Sequence, residues 1–360
     1  MTKESTASVN LSSASHRNNL DFLRLFFALS VLVTHSYALT GIAEHDLLSQ
    51  FSHDQARFSH TGVQGFLIIS GFLISKSLVR STTLPDYYFK RALRVFPGLF
   101  TTLCLTVLLC AFVSDKSIMN YFAHYSTRDY IIYNSLLKIQ YKLDGVFTNN
   151  PYPKAVNGSL WTIPYEVFFY ILLSLCYFIR QRVNILRALF ISSFLVAVGL
   201  FIVAAPWLSK YSLPFWGLQG HHIVELAAFF LAGAIWAVFP LPSATYRKRM
   251  ILVSLPPLII ALFFGGYVLI QFFTLPLLVI AFGTLNSSNL SFARKFGDFS
   301  YGIYLWGFVV QQTLMHLFNF NQMQLMLTSI PLTYVCGALS WHLVEKHALR
   351  LKIRPSLLST

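Results

Sequence analysis

Charged residues are scarce in this chain of 360 residues. Asp, Glu, Lys and Arg make up only 11% of it, hydrophobic residues make up 55%, and the mean hydropathy is +0.59. A soluble globular domain carries about 25% charged residues, so the composition excludes an ordinary soluble domain and places most of the chain in lipid. The 27 basic residues outnumber the 13 acidic ones. Because they form short clusters between apolar segments, they indicate orientation in a membrane and not a nucleic-acid surface.

Cysteine is also rare. The four cysteines all fall within apolar segments, at Cys104, Cys110, Cys176 and Cys336. None has the spacing of metal ligands, so we predict small packing residues, no disulfide and no metal site. No short apolar region with a cleavage site precedes the first long apolar segment, so we predict no cleaved signal peptide. Internal repeats and an appended soluble domain are not evident either.

Long apolar segments dominate what remains. A spanning helix needs about 20 mostly apolar residues, and ten segments qualify: 20–40, 61–80, 93–114, 160–180, 186–205, 222–240, 249–264, 267–284, 299–319 and 324–345. The seventh and eighth are separated only by Gly265 and Gly266, so they form either a tight hairpin or one broken helix. We therefore predict an all-α, polytopic integral membrane protein with about ten transmembrane helices.

The distribution of basic residues orients these spans. With the N-terminus in the cytoplasm, 19 of the 27 basic residues fall in cytoplasmic segments, and five of the seven outer ones lie in one long loop. Both termini are therefore predicted to be cytoplasmic. We predict a disordered N-terminus over 1–16, a membrane domain over 17–347 and a cytoplasmic tail over 348–360. The loop at 115–159 is predicted to hold an interfacial helix near 130–137, and either covers an outward-facing pocket or only packs against the helices.

The first span contains an arginine and a histidine, and ionisable groups inside a membrane span usually have a function. On a helix, Arg24 and His35 would stand about 16 Å apart along the axis. A neutral imidazole at His35 could accept a proton from an attacking hydroxyl, although a core histidine bonded to a neighbouring helix is the alternative. Arg24 could hold a phosphate.

Three further charged residues extend this hypothesis. Glu166 enters the fourth span near the outer face, where it could orient His35, stabilise its protonated form, bind hydroxyl groups of an acceptor or form a structural ion pair. Arg91 and Arg94 are three residues apart, so they share one face of a helix and could bind phosphate. Basic residues at the inner face are equally expected from topology alone.

Other segments carry weaker signals. Gly62, Gly65, Ser70 and Gly71 in the second span would allow close approach of helices. Tyr301 and Tyr304 open the ninth span and either line a cavity or belong to an interfacial belt. A cluster of His221, His222 and Glu225 is interpreted as interfacial, with binding of the acceptor as the alternative. The adjacent histidines lack the spacing of a helical zinc pair.

Taken together, these motifs resemble acyltransferase family 3 over about residues 17–347. The matching features, in order, are Leu20-Asp21 to Arg24 with His35, the stretch Gly62-Val63 to Ile74, Arg91 and Arg94 followed by Pro97, Ser159-Leu160-Trp161-Thr162 to Glu166, and Ser300-Tyr301-Gly302-Ile303-Tyr304-Leu305. Two departures stand out. Gly307-Phe308 occupies a place where members often have His-Phe, and the closing block reads Glu345-Lys346-His347.

The resemblance implies a multi-pass enzyme of the bacterial inner membrane that moves an acyl group, usually acetyl, from cytoplasmic acyl-CoA to a hydroxyl of an extracytoplasmic carbohydrate. It assigns catalysis to His35 and Glu166, the phosphates of acyl-CoA to Arg24, Arg91 and Arg94, and substrate contacts to Trp161, Tyr301 and Tyr304. The predicted partners are acyl-CoA, a carbohydrate or lipid-linked glycan, membrane lipid and a possible second copy of the chain, with no metal cofactor and no nucleic acid.

Two other classes compete with this interpretation. A secondary transporter or flippase for an anionic glycolipid would also place arginines and a glutamate within a helical bundle, but the chain lacks two related halves. A membrane scaffold or sensor would leave a buried histidine and glutamate without a function.

Overall fold

The structure, a computed structural model, describes residues 18–153, 155–287, 290 and 297–353. Fourteen α-helices are present in this part of the chain. In chain order they are α1 Leu20–Leu39, α2 Leu47–Phe51, α3 Phe58–Arg80, α4 Leu84–Cys110, α5 Ile118–Ala123, α6 Tyr125–Ser135, α7 Ile163–Ser174, α8 Val183–Leu208, α9 Gly220–Val238, α10 Ala244–Phe264, α11 Tyr267–Gly283, α12 Ser300–Phe318, α13 Gln322–Ser340 and α14 Lys346–Arg350.

Shorter elements extend or connect these helices. Turns of 3-10 helix at Gly158–Thr162 and Leu175–Ile179 flank α7, and a third at Leu351–Ile353 follows α14. A π-helical turn at Trp341–Glu345 joins α13 to α14. The strands β1 Ser212–Leu213 and β2 Leu218–Gln219 form an antiparallel hairpin. With 76% helix and almost no sheet, the predicted all-α class is confirmed.

The predicted spans are only partly tested by the structure. Within the described residues, seven helices have the length and hydropathy to cross a membrane. These are Leu20–Leu39, Phe58–Arg80, Leu84–Cys110, Gly158–Ile179, Val183–Leu208, Gly220–Val238 and Gln322–Arg350. The other three predicted spans coincide with α10, α11 and α12, so the number ten and the cytoplasmic termini stay predictions. The predicted N-terminus over 1–16 lies outside the described residues, as does most of the predicted tail.

The pair α10 and α11 decides between the two alternatives for the seventh and eighth segments. Gly265 and Gly266 have φ angles of 102° and 90°, a region that glycine occupies at little cost. The two helices pack against each other, and Leu258, Ala261 and Tyr267 share one apolar cluster. The segments therefore form a tight hairpin and not one broken helix.

Close approach of α3 and α9 confirms the packing role predicted for small residues of the second span. A Cβ atom placed on Gly71 would lie 1.9 Å from the backbone oxygen of Phe230, and one placed on Gly233 would lie 2.0 Å from that of Ile68. Backbone contacts of this kind tolerate no side chain at either position. Helix α3 also packs against α1 and lines the site described below. The packing of α3 therefore helps to position that site.

The loop at 115–159 is structured. It contains α5 and α6, and α6 covers part of the segment predicted to be an interfacial helix. Further along, Asn150 Nδ2 donates to the side-chain oxygen of Gln312 at 2.7 Å, and Gln312 Nε2 donates to the carbonyl of Ala155 at 2.6 Å. The loop is thereby fastened to α12, although its placement relative to a membrane stays a prediction.

Replacing Gly71 with alanine should lower the melting temperature of the detergent-solubilised protein, because the methyl group meets a backbone oxygen that cannot move aside. Overpacking of this kind costs about 1–3 kcal/mol. Gly199→Ala is the matched control, since a Cβ at Gly199 meets nothing within 4 Å and alanine is the better helix former. Equal melting temperatures for the two variants would contradict the close contact of α3 and α9.

Candidate active site

Three of the cavities among the described residues bear on the predicted site, and Arg24 and His35 of α1 line different ones. The arginine cavity, of about 330 Å³, is lined by Arg24, Arg91, Arg94, Lys352, Asp298, Glu166, Ser70, Tyr170, Tyr301, Tyr304 and the apolar side chains described below. The histidine cavity, of about 440 Å³, is lined by His35, His60, His222, Trp161, Glu44, Asp54, Arg57, Val63 and Tyr304 among others. The loop cavity, of about 660 Å³, also contains His35.

Asp298 forms ion pairs with two of the three predicted phosphate-binding arginines. Its Oδ2 atom contacts Arg24 Nη1 and lies 2.7 Å from Arg94 Nη2. Arg94 also lies 3.7 Å from Glu345 and has its guanidinium group 5.4 Å from the ring of Tyr301. Burial alone would raise the pKa of Asp298, but the two guanidinium groups hold that pKa well below its usual range. Arg24 and Arg94 therefore share one partly buried carboxylate, and Arg94 has Glu345 as a second, more distant partner.

Arg91 and Lys352 have no carboxylate partner within the described part of the chain. Arg91 donates only to Ser77 Oγ, at 3.4 Å, and its Nε atom is buried without a hydrogen-bond partner. Burial and the neighbouring charges of Arg91 and Arg94 lower the pKa of Lys352 to about 7. These two groups are the ones available for an anion, and the sequence predicted only Arg91.

Local sequence explains why the arginines share a cavity. The side chain of Thr83 accepts a hydrogen bond from the amide of Asp86 at 3.2 Å, and Pro85 occupies the first turn of α4. Both features favour the start of a helix at Leu84. Arg91 and Arg94 then lie two to three turns into α4, and both line the arginine cavity, as their three-residue spacing predicts.

Glu166 also lines the arginine cavity. Its Oε1 atom accepts hydrogen bonds from the hydroxyl of Ser70, at 2.9 Å, and from that of Tyr170. A hydrogen bond to His35, which would orient the imidazole, is not among those of the described residues. The structure therefore brings Glu166 together with the predicted phosphate-binding residues and not with the predicted base.

Tyr304 and Val63 line both the arginine cavity and the histidine cavity, so they form the wall between them. The hydroxyl of Tyr304 donates to the carbonyl of Ser159 at 2.6 Å and accepts from Thr162 Oγ1 at 2.5 Å. Both partners belong to the 3-10 turn before α7, which Asn157 caps by accepting from the amide of Ser159 at 3.1 Å. The wall is thus held from two sides.

Apolar side chains line the arginine cavity between its charged groups and this wall. They are Phe66, Leu67, Ile69, Leu73, Ile74, Val95 and Ile163. Along α12, Tyr304 lies six residues after Asp298, a distance of about 9 Å if helical rise is assumed throughout. The narrow, mostly uncharged part of a ligand could therefore extend from the basic groups to the wall formed by Tyr304 and Val63.

His35 lies on the other side of the wall. Its ring packs edge-on against Phe308, with centroids 5.0 Å apart, and its Nδ1 atom is buried without a hydrogen-bond partner among the described residues. Tyr152 and Ala155 of the long loop line the loop cavity together with His35, so this loop does cover a pocket. Trp161 lines both the histidine cavity and the loop cavity, and its ring centroid lies 4.9 Å from that of His222.

Sequence reasoning missed several residues of the site, namely Asp298, Glu345, Lys352 and His60. For the first two a signal existed: a chain with 13 acidic residues that buries arginines must place carboxylates beside them. Asp298 lies two residues before Ser300 of the Ser300-Tyr301 motif, and Glu345 lies in the closing block. In the described ranges, no group of three or more His, Cys, Asp or Glu residues could hold a metal ion.

The fold and cavities define a multi-pass membrane protein with one basic and one histidine-lined cavity. The model of the acyltransferase 3 family, described as an acyltransferase domain, matches residues 17–342. The chain belongs to this family and is an acyltransferase, which confirms the predicted family and enzyme class.

Two curated relatives match over nearly their whole length. An O-acetyl transferase of Shigella phage Sf6 is 32% identical over 348 residues, covering 93% of this chain and 97% of the relative. Nodulation protein 10 of Rhizobium leguminosarum bv. viciae is 28% identical over 386 residues, covering 95% and 96%. No solved structure matches.

Replacing Asp298 with asparagine should strongly destabilise the fold, because two largely buried guanidinium groups, 19% and 15% exposed, lose their shared carboxylate. Removing one partner of a buried ion pair costs about 3–5 kcal/mol. Asp129→Asn is the control, since its partner Arg128 is 71% exposed and exposed pairs contribute about 0–1 kcal/mol. The measurement is thermal unfolding of both purified variants, and a melting temperature for Asp298→Asn as high as that of the control would refute the buried pairing.

Proposed function

We propose that the chain transfers an acyl group, most often acetyl, from cytoplasmic acyl-CoA to a hydroxyl group of an extracytoplasmic carbohydrate. The observation that carries this proposal is the wall shared by the two cavities. On one side of Tyr304 and Val63 lie basic groups and an apolar passage, and on the other side lies His35. A donor and an acceptor can approach this wall from opposite sides.

The charges of the arginine cavity support an anionic donor. Arg91 and Lys352 lack carboxylate partners in the described residues and could bind the phosphate groups of coenzyme A. Arg24 and Arg94 shape the same end of the cavity while pairing with Asp298. Beyond them the apolar walls would surround the pantetheine arm and bring the thioester to Tyr304.

His35 is proposed as the general base. The acceptor oxygen attacks the thioester carbonyl carbon, His35 takes the hydroxyl proton, and the carbon–sulfur bond breaks. The ester forms, and the departing thiolate of coenzyme A receives a proton. General-base catalysis contributes about 10²–10⁴-fold in rate, and holding the two substrates in line supplies much of the remainder.

Glu166 is assigned to the donor side in this proposal. Because it faces the arginine cavity and accepts hydrogen bonds from Ser70 and Tyr170, its carboxylate could accept further hydrogen bonds from the amide groups of the pantetheine arm. Tyr301 and Tyr304 line the same cavity and would contact the donor. Trp161 lines both the histidine cavity and the loop cavity, where its ring could stack on the apolar face of a sugar.

The proposed acceptor is a surface glycan of a bacterial cell, and the proposed location is the inner membrane. The phage relative is named an O-acetyl transferase, which favours acetyl transfer to oxygen. Purified membranes would be supplied with acetyl-CoA labelled in its acetyl group and with a de-O-acetylated polysaccharide fraction from cells that lack the gene. Labelled polysaccharide together with free coenzyme A supports the transferase, whereas movement of glycolipid without acylation would support the transporter alternative.

Replacing His35 with alanine should reduce the rate of labelled polysaccharide formation by at least about 10²-fold, because the proposed base is lost. The variant should still insert into membranes and bind acetyl-CoA, since the arginine cavity is unchanged. His45→Ala is the control, as this histidine lies in an exposed pair with Asp54. Undiminished transfer by His35→Ala would remove His35 from the mechanism.

Replacing Arg91 or Lys352 with alanine should raise the KM for acetyl-CoA by about 10- to 100-fold, since hydrogen bonds to charged groups contribute about 1.5–3 kcal/mol each. The KM for polysaccharide should not change. Lys90→Ala is the matched control, because Lys90 pairs with Asp86 at 2.6 Å. A donor KM equal to that of wild type would exclude these two cations from donor binding.

The same site predicts a pH dependence. With its pKa lowered to about 7, Lys352 is charged below that pH and loses its proton above it. Donor binding should therefore weaken as the pH rises through 7. Lys352→Arg should remove this dependence, because a guanidinium group stays protonated.

A further inference from the structure

A partly buried histidine–carboxylate pair joins α3 to α9 beside the histidine cavity. His60 Nε2 lies 2.5 Å from Oε1 of Glu225, a residue that is only 4% exposed. Gln64 Nε2 donates to the same oxygen at 3.2 Å and to Gln271 Oε1 at 2.9 Å. His222 Nδ1 lies 3.8 Å from Oε2 of Glu225. The carboxylate is thus held from several sides.

This arrangement fixes a hydrogen atom on Nε2 of the His60 ring. An ionised carboxylate can only accept hydrogen bonds, so Nε2 must be the donor. Nδ1 is then the ring nitrogen left for a ligand, as an acceptor in the neutral imidazole and as a donor in the protonated one. Nδ1 has no hydrogen-bond partner within the described part of the chain, while the side chain is 36% exposed and lines the histidine cavity. An oriented ring nitrogen is therefore presented to that cavity.

His35 lines the same cavity but has no such support, since no carboxylate contacts its ring among the described residues. Two imidazoles of different character, those of His35 and His60, therefore border the same space as the ring of His222. Other polar groups line this space as well, among them Glu44, Asp54 and Arg57. Such walls suit a ligand that carries several hydroxyl groups.

We propose that His60, oriented by Glu225, binds a hydroxyl group of the acceptor through Nδ1 while a different hydroxyl of the same molecule reacts at His35. This inference rests on the proposed function and adds a recognition site to it. Glu225 acts only through His60 and is a positioning residue. The acceptor that this geometry favours carries at least two hydroxyl groups within reach of one cavity, as a sugar residue does.

Two substitutions of His60 separate recognition from structural support. The amide of a glutamine stands where Nε2 stood, so His60→Gln keeps a donor for Glu225 but loses the polar atom that faces the cavity. The amide of an asparagine stands where Nδ1 stood and can accept or donate there, so His60→Asn keeps a polar group facing the cavity and loses the contact with Glu225. His60→Ala loses both.

The assay uses membranes with labelled acetyl-CoA and the de-O-acetylated polysaccharide fraction as acceptor, each varied in turn. His60→Gln should fold and raise the KM for polysaccharide by about 3- to 10-fold, the effect of one lost hydrogen bond, with an unchanged KM for acetyl-CoA. The KM of His60→Asn for polysaccharide should stay closer to that of wild type, although the melting temperature of this variant should be lower. Glu225→Gln should raise the polysaccharide KM without affecting the donor KM.

The opposite order of the polysaccharide KM values of His60→Gln and His60→Asn would overturn the inference. If His60→Gln binds polysaccharide as well as wild type while His60→Asn is impaired, the pair only supports the helices. Absence of transfer by wild-type membranes would instead contradict the proposed function, and with it this site. His347→Ala, at an exposed histidine that lines none of the three cavities described, controls for the loss of an imidazole elsewhere.

Discussion

The pairing of Asp298 with Arg24 and Arg94 is the interaction on which the rest of the site depends. One carboxylate before α12 contacts guanidinium groups from α1 and α4, so it fixes three helices at the same end of the bundle. In a medium of low dielectric constant, an unpaired guanidinium would cost several kcal/mol. The arginine cavity can therefore contain three arginines, while Arg91 keeps its charge free for a ligand.

The wall of Tyr304 and Val63 has a chemical consequence. A thioester that is to react with a sugar hydroxyl must meet its acceptor without first meeting water, and a closed site limits such side reactions. Apolar side chains line the passage on the donor side, and hydrogen bonds to Ser159 and Thr162 hold Tyr304 in place. In the proposed reaction, this wall would keep the two substrates in separate compartments until their reactive ends adjoin.

The sequence predicts the helical class and much of the donor end, because apolar periodicity and clusters of basic residues are local signals. It does not predict which groups pair across the bundle. Arg24 and Asp298 are 274 positions apart, and His60 and Glu225 are 165 apart. The expected contact of Glu166 with His35 fails to form for the same reason. The mean hydropathy of α12 is lowered by Gln311 and Gln312, whose buried side chains donate hydrogen bonds to neighbouring elements.

His35 and His60 of the histidine cavity differ in a way that suits the roles proposed for them. His60 is anchored by Glu225, so its ring cannot turn without breaking that hydrogen bond, and such rigidity suits recognition. His35 has no anchoring partner among the described residues, and its ring is restrained mainly by packing against Phe308. An imidazole that must accept a proton and then release it benefits from partners that arrive with the substrate. The geometry therefore supports the proposed recognition at the anchored ring and the proposed proton transfer at the unanchored one.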